Sequence, residues 1–202
     1  MDLHFSDLPP VCRDEKERRL NQHAKVIWMT GLSGSGKTTI ALGLEKELFN
    51  KGFLVQILDG DLVRSGINNN LQFSVEDRIE NIRRIAEISK LFINCGIITI
   101  NCFISPTNKI RAMARKIIGA EDFIEVYMNS SFEVCEARDT KGLYARARRG
   151  EIKEFTGIDS PYEVPEQPDL ELKTDEITIE KTIQKALDYV LPIIQAQRSF
   201  HE

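Results

Sequence analysis

The stretch from Gly31 to Thr38 reads GLSGSGKT, which fits the pattern GxxxxGK[ST], and it lies between an apolar run and a helical pattern. Each residue type there has a task at a polyphosphate. Gly31, Gly34 and Gly36 let the backbone of the loop, with Ser33 and Ser35, turn its amides inward around phosphate oxygens. The helix that follows offers its N-terminus to the same anion. Lys37 adds a mobile positive charge, and Thr38, followed by Thr39, offers a hydroxyl to Mg2+. The bland reading, a glycine-rich turn that only joins strand to helix, loses to this one once the flanking elements are counted. Binding of a nucleoside triphosphate is expected. Because the same cradle serves switches, motors and small-molecule kinases, the reaction must be read elsewhere. The guanine-reading Asn-Lys-x-Asp of a regulatory GTPase is absent, since Asn50-Lys51 precedes Gly-Phe and Asn108-Lys109 precedes Ile-Arg.

A second group lies in ILDGDLVRSG, residues 57–66, where Asp59 and Asp61 precede Arg64 at the C-terminal end of an expected strand. In an open parallel sheet that edge binds ligands. Phosphoryl transfer to a hydroxyl needs a group that orients the nucleophile and takes its proton, and partners for Mg2+. Asp61 could hold the acceptor hydroxyl or a metal-bound water, with Asp59 steadying the loop or the metal; a strand-ending cap and an ordinary turn residue are the open alternative. Arg78 and Asn81, three apart on a helix, share a face. With Arg64 they could grip an anionic substrate, because guanidinium groups give paired hydrogen bonds to phosphate or sulfate. Arg83 and Arg84 point elsewhere, toward solvent. Further on, Lys141, Arg146, Arg148 and Arg149 could fold over transferring phosphates or form a basic surface helix, and Lys141, beside Gly142, is the functional choice. Phe73 and Phe155 sit in polar loops, free to stack on a flat base or to tuck into nearby apolar surface.

Placing these groups requires a definite order of elements. KVIWMT (25–30) reads as a strand, and the following helix carries Ile40, Ala41, Leu44 and Leu48 at helical spacing up to Gly52. With a second strand at 53–59 this is a βαβ unit and implies a parallel sheet. A helix over 77–94, strands at IITINCFI and FIEVYM with the helix NKIRAMARKII between them, a strand at DLELKT and a closing helix over 179–197 complete the pattern. The polar segment 138–168 is too long for a simple connector, and its first part, 138–157, is read as a mobile lid. Residues 1–24 are a polar arm, and 25–202 form one domain. The chain has 202 residues, 42% apolar and 29% charged, with a formal charge of -4, which argues against a general nucleic-acid binder. No apolar run is long enough to span a bilayer and no signal core opens the chain, so a cytoplasmic, non-membrane protein is expected. Cys12, Cys95, Cys102 and Cys135 are widely spaced and His4, His23 and His201 lie near the termini, so metal-ligand spacing is absent.

GLSGSGKTT, LDGDLVRSG, FSVEDRIENIRR, FISP, RDTKGLYARARRGEI and FTGIDSPYE occur in an order and spacing that resemble the adenylylsulfate kinases. The resemblance runs from about Lys25 to Thr174. It implies an α/β fold of the P-loop NTPase type, a three-layer sandwich with a mainly parallel sheet, helices on both faces and a mobile lid. It also implies transfer of the γ-phosphoryl of ATP, with Mg2+, to the 3'-hydroxyl of adenosine 5'-phosphosulfate, and a homodimer. By the same resemblance Asp61 approaches the 3'-hydroxyl and metal, Arg64, Arg78 and Asn81 hold the phosphosulfate end, and Phe73 and Phe155 sandwich the adenine. Ile104 and Ser105 line the acceptor pocket, Lys141 reaches the substrate, and Ser105 is a catalytic candidate through a phosphorylated intermediate. Three positions depart from the family: Leu62 stands for asparagine, Gln72 for glycine and Thr107 for tyrosine. They sit beside the acceptor pocket in sequence, which leaves open a kinase of another modified nucleotide, such as a nucleoside diphosphoramidate. A non-catalytic nucleotide-binding module is the reading from a different class.

Overall fold

A computed structural model describes residues 10–196. Five strands, β1 (Val26–Thr30), β2 (Val55–Asp59), β3 (Ile98–Cys102), β4 (Phe123–Asn129) and β5 (Leu170–Lys173), form one sheet in the order β2-β3-β1-β4-β5. Every pairing is parallel, with Ile27 opposite both Ile100 of β3 and Ile124 of β4. Burial on both faces explains why β1 and β3 read as continuous apolar runs rather than alternating ones.

The two faces of β1 feed two cores. Ile27 and Met29 pack with Ile40, Ala41, Leu44 and Leu48 of α2 (Lys37–Asn50) and with Ala186, Leu187, Val190 and Ile194 of α8 (Ile179–Ile194). Val26 and Trp28 pack on the other side with Ile82, Ile85 and Ala86 of α4 (Val75–Asn94) and Ile110 and Ala114 of α5 (Asn108–Ile118). Full burial of such a side chain is worth about 1.5–3 kcal/mol. The three layers hold the C-terminal ends of the strands at one edge, where the site is built.

The arm is fastened where it is described. α1 (Arg13–Leu20) is tied to the opposite edge by a bidentate ion pair of Arg13 with Asp122, and Gln22, fully buried, bonds the Leu54 amide and the carbonyls of Leu54 and Gly96. Residues 1–9, with His4, and residues 197–202, with His201 and the expected end of the closing helix, lie outside the described residues. Two short helices were not expected, α3 (Gly60–Ser65) and α6 (Phe132–Arg138), while α7 (Leu143–Arg148) takes up the basic helix posed as one reading of that run. Each spans too few turns to show a periodicity in sequence, and all three carry residues that line the cavity described below. No described helix is long and apolar enough to cross a membrane.

Candidate active site

The turn after β1 and the start of α2 form one end of a cavity of about 790 Å³. Gly34 has φ +76°, and a Cβ there would stand 2.7 Å from the Cys135 carbonyl oxygen; Gly36, at φ +92°, caps α2. Ser33, Gly34, Gly36, Lys37, Thr38 and Thr39 line this end. Gly31 and Ser35 lie behind it, where they hold the lysine. Lys37 Nζ donates to the carbonyls of Gly31 (2.9 Å) and Leu32 (2.7 Å) and reaches Ser35 Oγ at 3.4 Å. Burial pushes its ammonium pKa down to about 8. Thr38 Oγ1 donates to the Asp59 carboxylate at 2.8 Å.

Asp59 closes β2 and caps α3, its second oxygen accepting from the Asp61 amide at 2.9 Å. One Asp59 oxygen thus caps the turn, as the strand-ending cap would, while the other meets the Thr38 hydroxyl. The cap starts the turn of helix that carries Asp61 and Arg64 into the same cavity. Asp61 forms an ion pair with Lys141 of the lid. Lys141 thus stands apart from its basic neighbours, since Arg146 and Arg149 pair with Glu151 and Arg148 with Glu136.

Phe73, Arg78, Asn81, Ile104, Ser105 and Phe155 line the far end of the cavity. Arg64 lies over the ring of Phe73, 4.5 Å from its centroid, and donates to the Gln72 carbonyl at 2.9 Å. Arg78 donates to the Phe73 carbonyl (2.8 Å), to Thr156 Oγ1 (2.7 Å) and to the Glu154 carbonyl, joining the start of α4 to the segment that carries Phe155. Burial lowers the pKa of both guanidinium groups. Asn81, buried, accepts from Asn68 at 2.9 Å. The two phenylalanines behave differently. Phe73 is 56% exposed, whereas Phe155 is tucked edge-on to Tyr144 with centroids 5.0 Å apart and still faces the cavity.

Ser105 is buried, and its hydroxyl accepts from the Trp28 indole N–H at 3.0 Å and donates to the Phe103 carbonyl at 3.3 Å. Both partners belong to the fold, so the hydroxyl has no base beside it to make it a nucleophile. Its backbone, at φ +40°, is held by Arg111, a residue the sequence reading passed over. Arg111 donates to the Ser105 carbonyl (2.7 Å) and the Glu163 carbonyl (2.7 Å) and pairs with Glu125 at 2.9 Å. Arg138, also missed, lines the cavity and reaches the Gly34 carbonyl at 3.2 Å and the Thr174 carbonyl at 2.7 Å. An arginine opening the basic run at 138 was the available signal; its partners, 104 and 36 positions away, were not visible.

The three departures fall outside the cavity lining. Leu62 is 64% exposed, the Gln72 amide donates to Asp77, and Thr107 caps α5 through the Ile110 amide.

A family model described as adenylylsulphate kinase matches residues 23–173. The chain is 60% identical over 185 residues to an adenylyl-sulfate kinase of Bacteroides thetaiotaomicron, with 92% of each chain covered. It is 59% identical over 184 residues to one of Phocaeicola vulgatus, covering 91% of this chain and 90% of that one. Among solved structures, the Mycobacterium tuberculosis APS kinase in complex with AMPPNP and APS superposes with a TM-score of 0.80 at 45% identity, covering 84% of this chain and 98% of that chain. Shared sequence over nearly the whole length, the parallel sheet and the phosphate loop at its ligand edge lead to one conclusion: the chain belongs to the adenylylsulfate kinase family.

Proposed function

We propose that the protein transfers the γ-phosphoryl of ATP to the 3'-hydroxyl of adenosine 5'-phosphosulfate, giving 3'-phosphoadenylyl sulfate for sulfate activation. The observation that carries this reading is the single cavity that has Lys37 and Thr38 at one end, Arg64, Phe73 and Phe155 at the other, and Asp61 with them. Lys37 and the loop amides balance the charge spread over the transferring group. Asp61 orients the 3'-hydroxyl and accepts its proton, while Lys141 exchanges Asp61 for the substrate's negative charge. Arg64, Arg78 and Asn81 grip the phosphosulfate end, and Phe73 and Phe155 sandwich the adenine with Ile104 against it. Ser105, with its hydroxyl committed to Trp28 and Phe103, positions the Ile104 backbone, and transfer is direct.

Mg2+ belongs to the same reading. A Thr38 hydroxyl beside the Asp59 carboxylate is the hard-oxygen pair that Mg2+ takes alongside phosphate oxygens, with Asp61 the further carboxylate of the loop. Bound there, the ion would neutralise charge on the β and γ oxygens. A division into an arm, 1–24, and a kinase domain, 25–202, a cytoplasmic address and a homodimer complete the proposal. Unpaired thiols at Cys12, Cys95, Cys102 and Cys135 suit a reducing compartment.

A kinase of another modified nucleotide loses its motive once Leu62, Gln72 and Thr107 lie off the cavity wall. The test is ADP release measured with ATP alone, with adenosine 5'-phosphosulfate and with a panel of other nucleotides. Release strictly dependent on the phosphosulfate is expected. Equal rates with another acceptor would overturn the substrate assignment, and slow acceptor-independent hydrolysis alone would favour a non-catalytic nucleotide-binding module.

A further inference from the structure

Three successive carbonyls of the phosphate loop each accept a hydrogen bond from a side chain outside it. The Ser33 carbonyl accepts from Tyr144 Oη at 2.9 Å, that of Gly34 from Arg138 Nη1 at 3.2 Å, and that of Ser35 from Thr174 Oγ1 at 2.8 Å. In a planar trans peptide the N–H of the next residue points away from the carbonyl. Fixing the carbonyls of Ser33 and Ser35 therefore turns the amides of Gly34 and Gly36, which line the cavity, to the side opposite their outer partners. Glycines at φ +76° and +92° could otherwise rotate freely, because no Cβ restrains them.

Of the three donors, Tyr144 is the one on α7 in the lid. It is 1% exposed and packs edge-on against Phe155 (5.0 Å) and Phe132 (5.7 Å) in a small core with Leu32 of the phosphate loop. Burial raises its phenol pKa, so it stays a donor. We propose that Tyr144 is a positioning residue for both halves of the site: its hydroxyl, through the Ser33 carbonyl, aims the Gly34 amide at the nucleotide phosphates, and its ring holds Phe155 against the acceptor. The two tasks use different atoms and can be separated.

The proposal rests on the loop binding nucleotide phosphates, which calorimetric titration of the unaltered protein with ADP tests alone; failure there would sink the nucleotide reading itself. Tyr144→Phe removes only the hydroxyl. Its ADP affinity is expected to fall roughly five- to tenfold and its KM for ATP to rise likewise, as loss of one aligned donor implies. KM for adenosine 5'-phosphosulfate should stay within about twofold. Tyr144→Leu, which also removes the ring, should raise the acceptor KM as well. Unchanged ADP affinity in the phenylalanine variant, or an equal rise in both KM values, overturns the proposal. Should that variant fail to fold, the near-isosteric Thr174→Val decides: a selective loss of ADP affinity supports the outer-donor account, and unchanged affinity overturns it.

Discussion

The two ends of the cavity are built by opposite means. At the phosphate end the groups come from one continuous stretch, Gly31 to Thr39, and the lysine is buried against carbonyls of its own loop. At the acceptor end they come from α3, α4, the loop after β3 and the lid, and side chains such as Asp61 and Phe73 remain open to solvent. A nucleotide triphosphate can be met by fixed backbone amides because its charge is always in the same place. An acceptor that must enter, react and leave is better served by groups that can close over it, and under the proposed function the Lys141–Asp61 ion pair would link such a closure to the reacting hydroxyl.

Substitutions at the two ends should therefore fail differently. Asp61→Asn is expected to lower kcat by about 10²–10⁴-fold, the range for a lost general base, with nucleotide affinity nearly intact; steady-state rates beside ADP titration would check it. Lys37→Met should lower kcat by about 10²–10³-fold and weaken ATP binding as well, since it removes charge stabilisation from the transferring group. Phe73→Ala should raise the acceptor KM about tenfold or more, by loss of base stacking, and leave the ATP KM unaltered.

Acidity gives a milder contrast. Because burial lowers the Lys37 pKa to about 8, the free protein carries the charged lysine below that pH and loses it above. Nucleotide phosphates favour the charged form, so ADP affinity should be flat below about pH 8 and fall by up to about tenfold per unit above it, with proton uptake on binding. The sign for folding is opposite. Between about 8 and the ordinary value of 10.5 the unfolded chain binds more protons, so this lysine makes the empty protein more stable as pH rises. Titrations in buffers of different ionisation enthalpy would read the uptake. Smallest of all, Leu62→Asn should change either KM by less than about twofold, because Leu62 lies off the cavity wall.

The same contrast governs what the sequence reveals. The phosphate loop was legible because its chemistry is contiguous and is flanked by a strand and a helix whose apolar spacing is plain. So were all five strands and the long helices α2, α4, α5 and α8. Strand order was not, because nothing in a buried apolar run says which neighbour it pairs with. At the acceptor end Asp61, Arg64, Arg78 and Asn81 could be singled out by type and spacing, but their arrangement depends on α3, which is only six residues long. Tyr144 and Arg138 escaped notice because each acts on the phosphate loop from more than 100 residues away. Phe155 illustrates a limit of a different sort: stacking on a base and tucking into a core were posed as alternatives, yet a ring packed edge-on against Tyr144 still lines the cavity, so being tucked does not exclude facing a ligand.

The central claim is transfer from one end of this cavity to a hydroxyl held at the other. The most direct measurement follows the label from γ-labelled ATP in the presence of adenosine 5'-phosphosulfate or its 3'-deoxy analogue. Label should appear on the 3'-oxygen of the phosphosulfate, and the analogue should bind without accepting it. Label transferred to the analogue, or released as inorganic phosphate at the same rate with and without acceptor, would contradict the account.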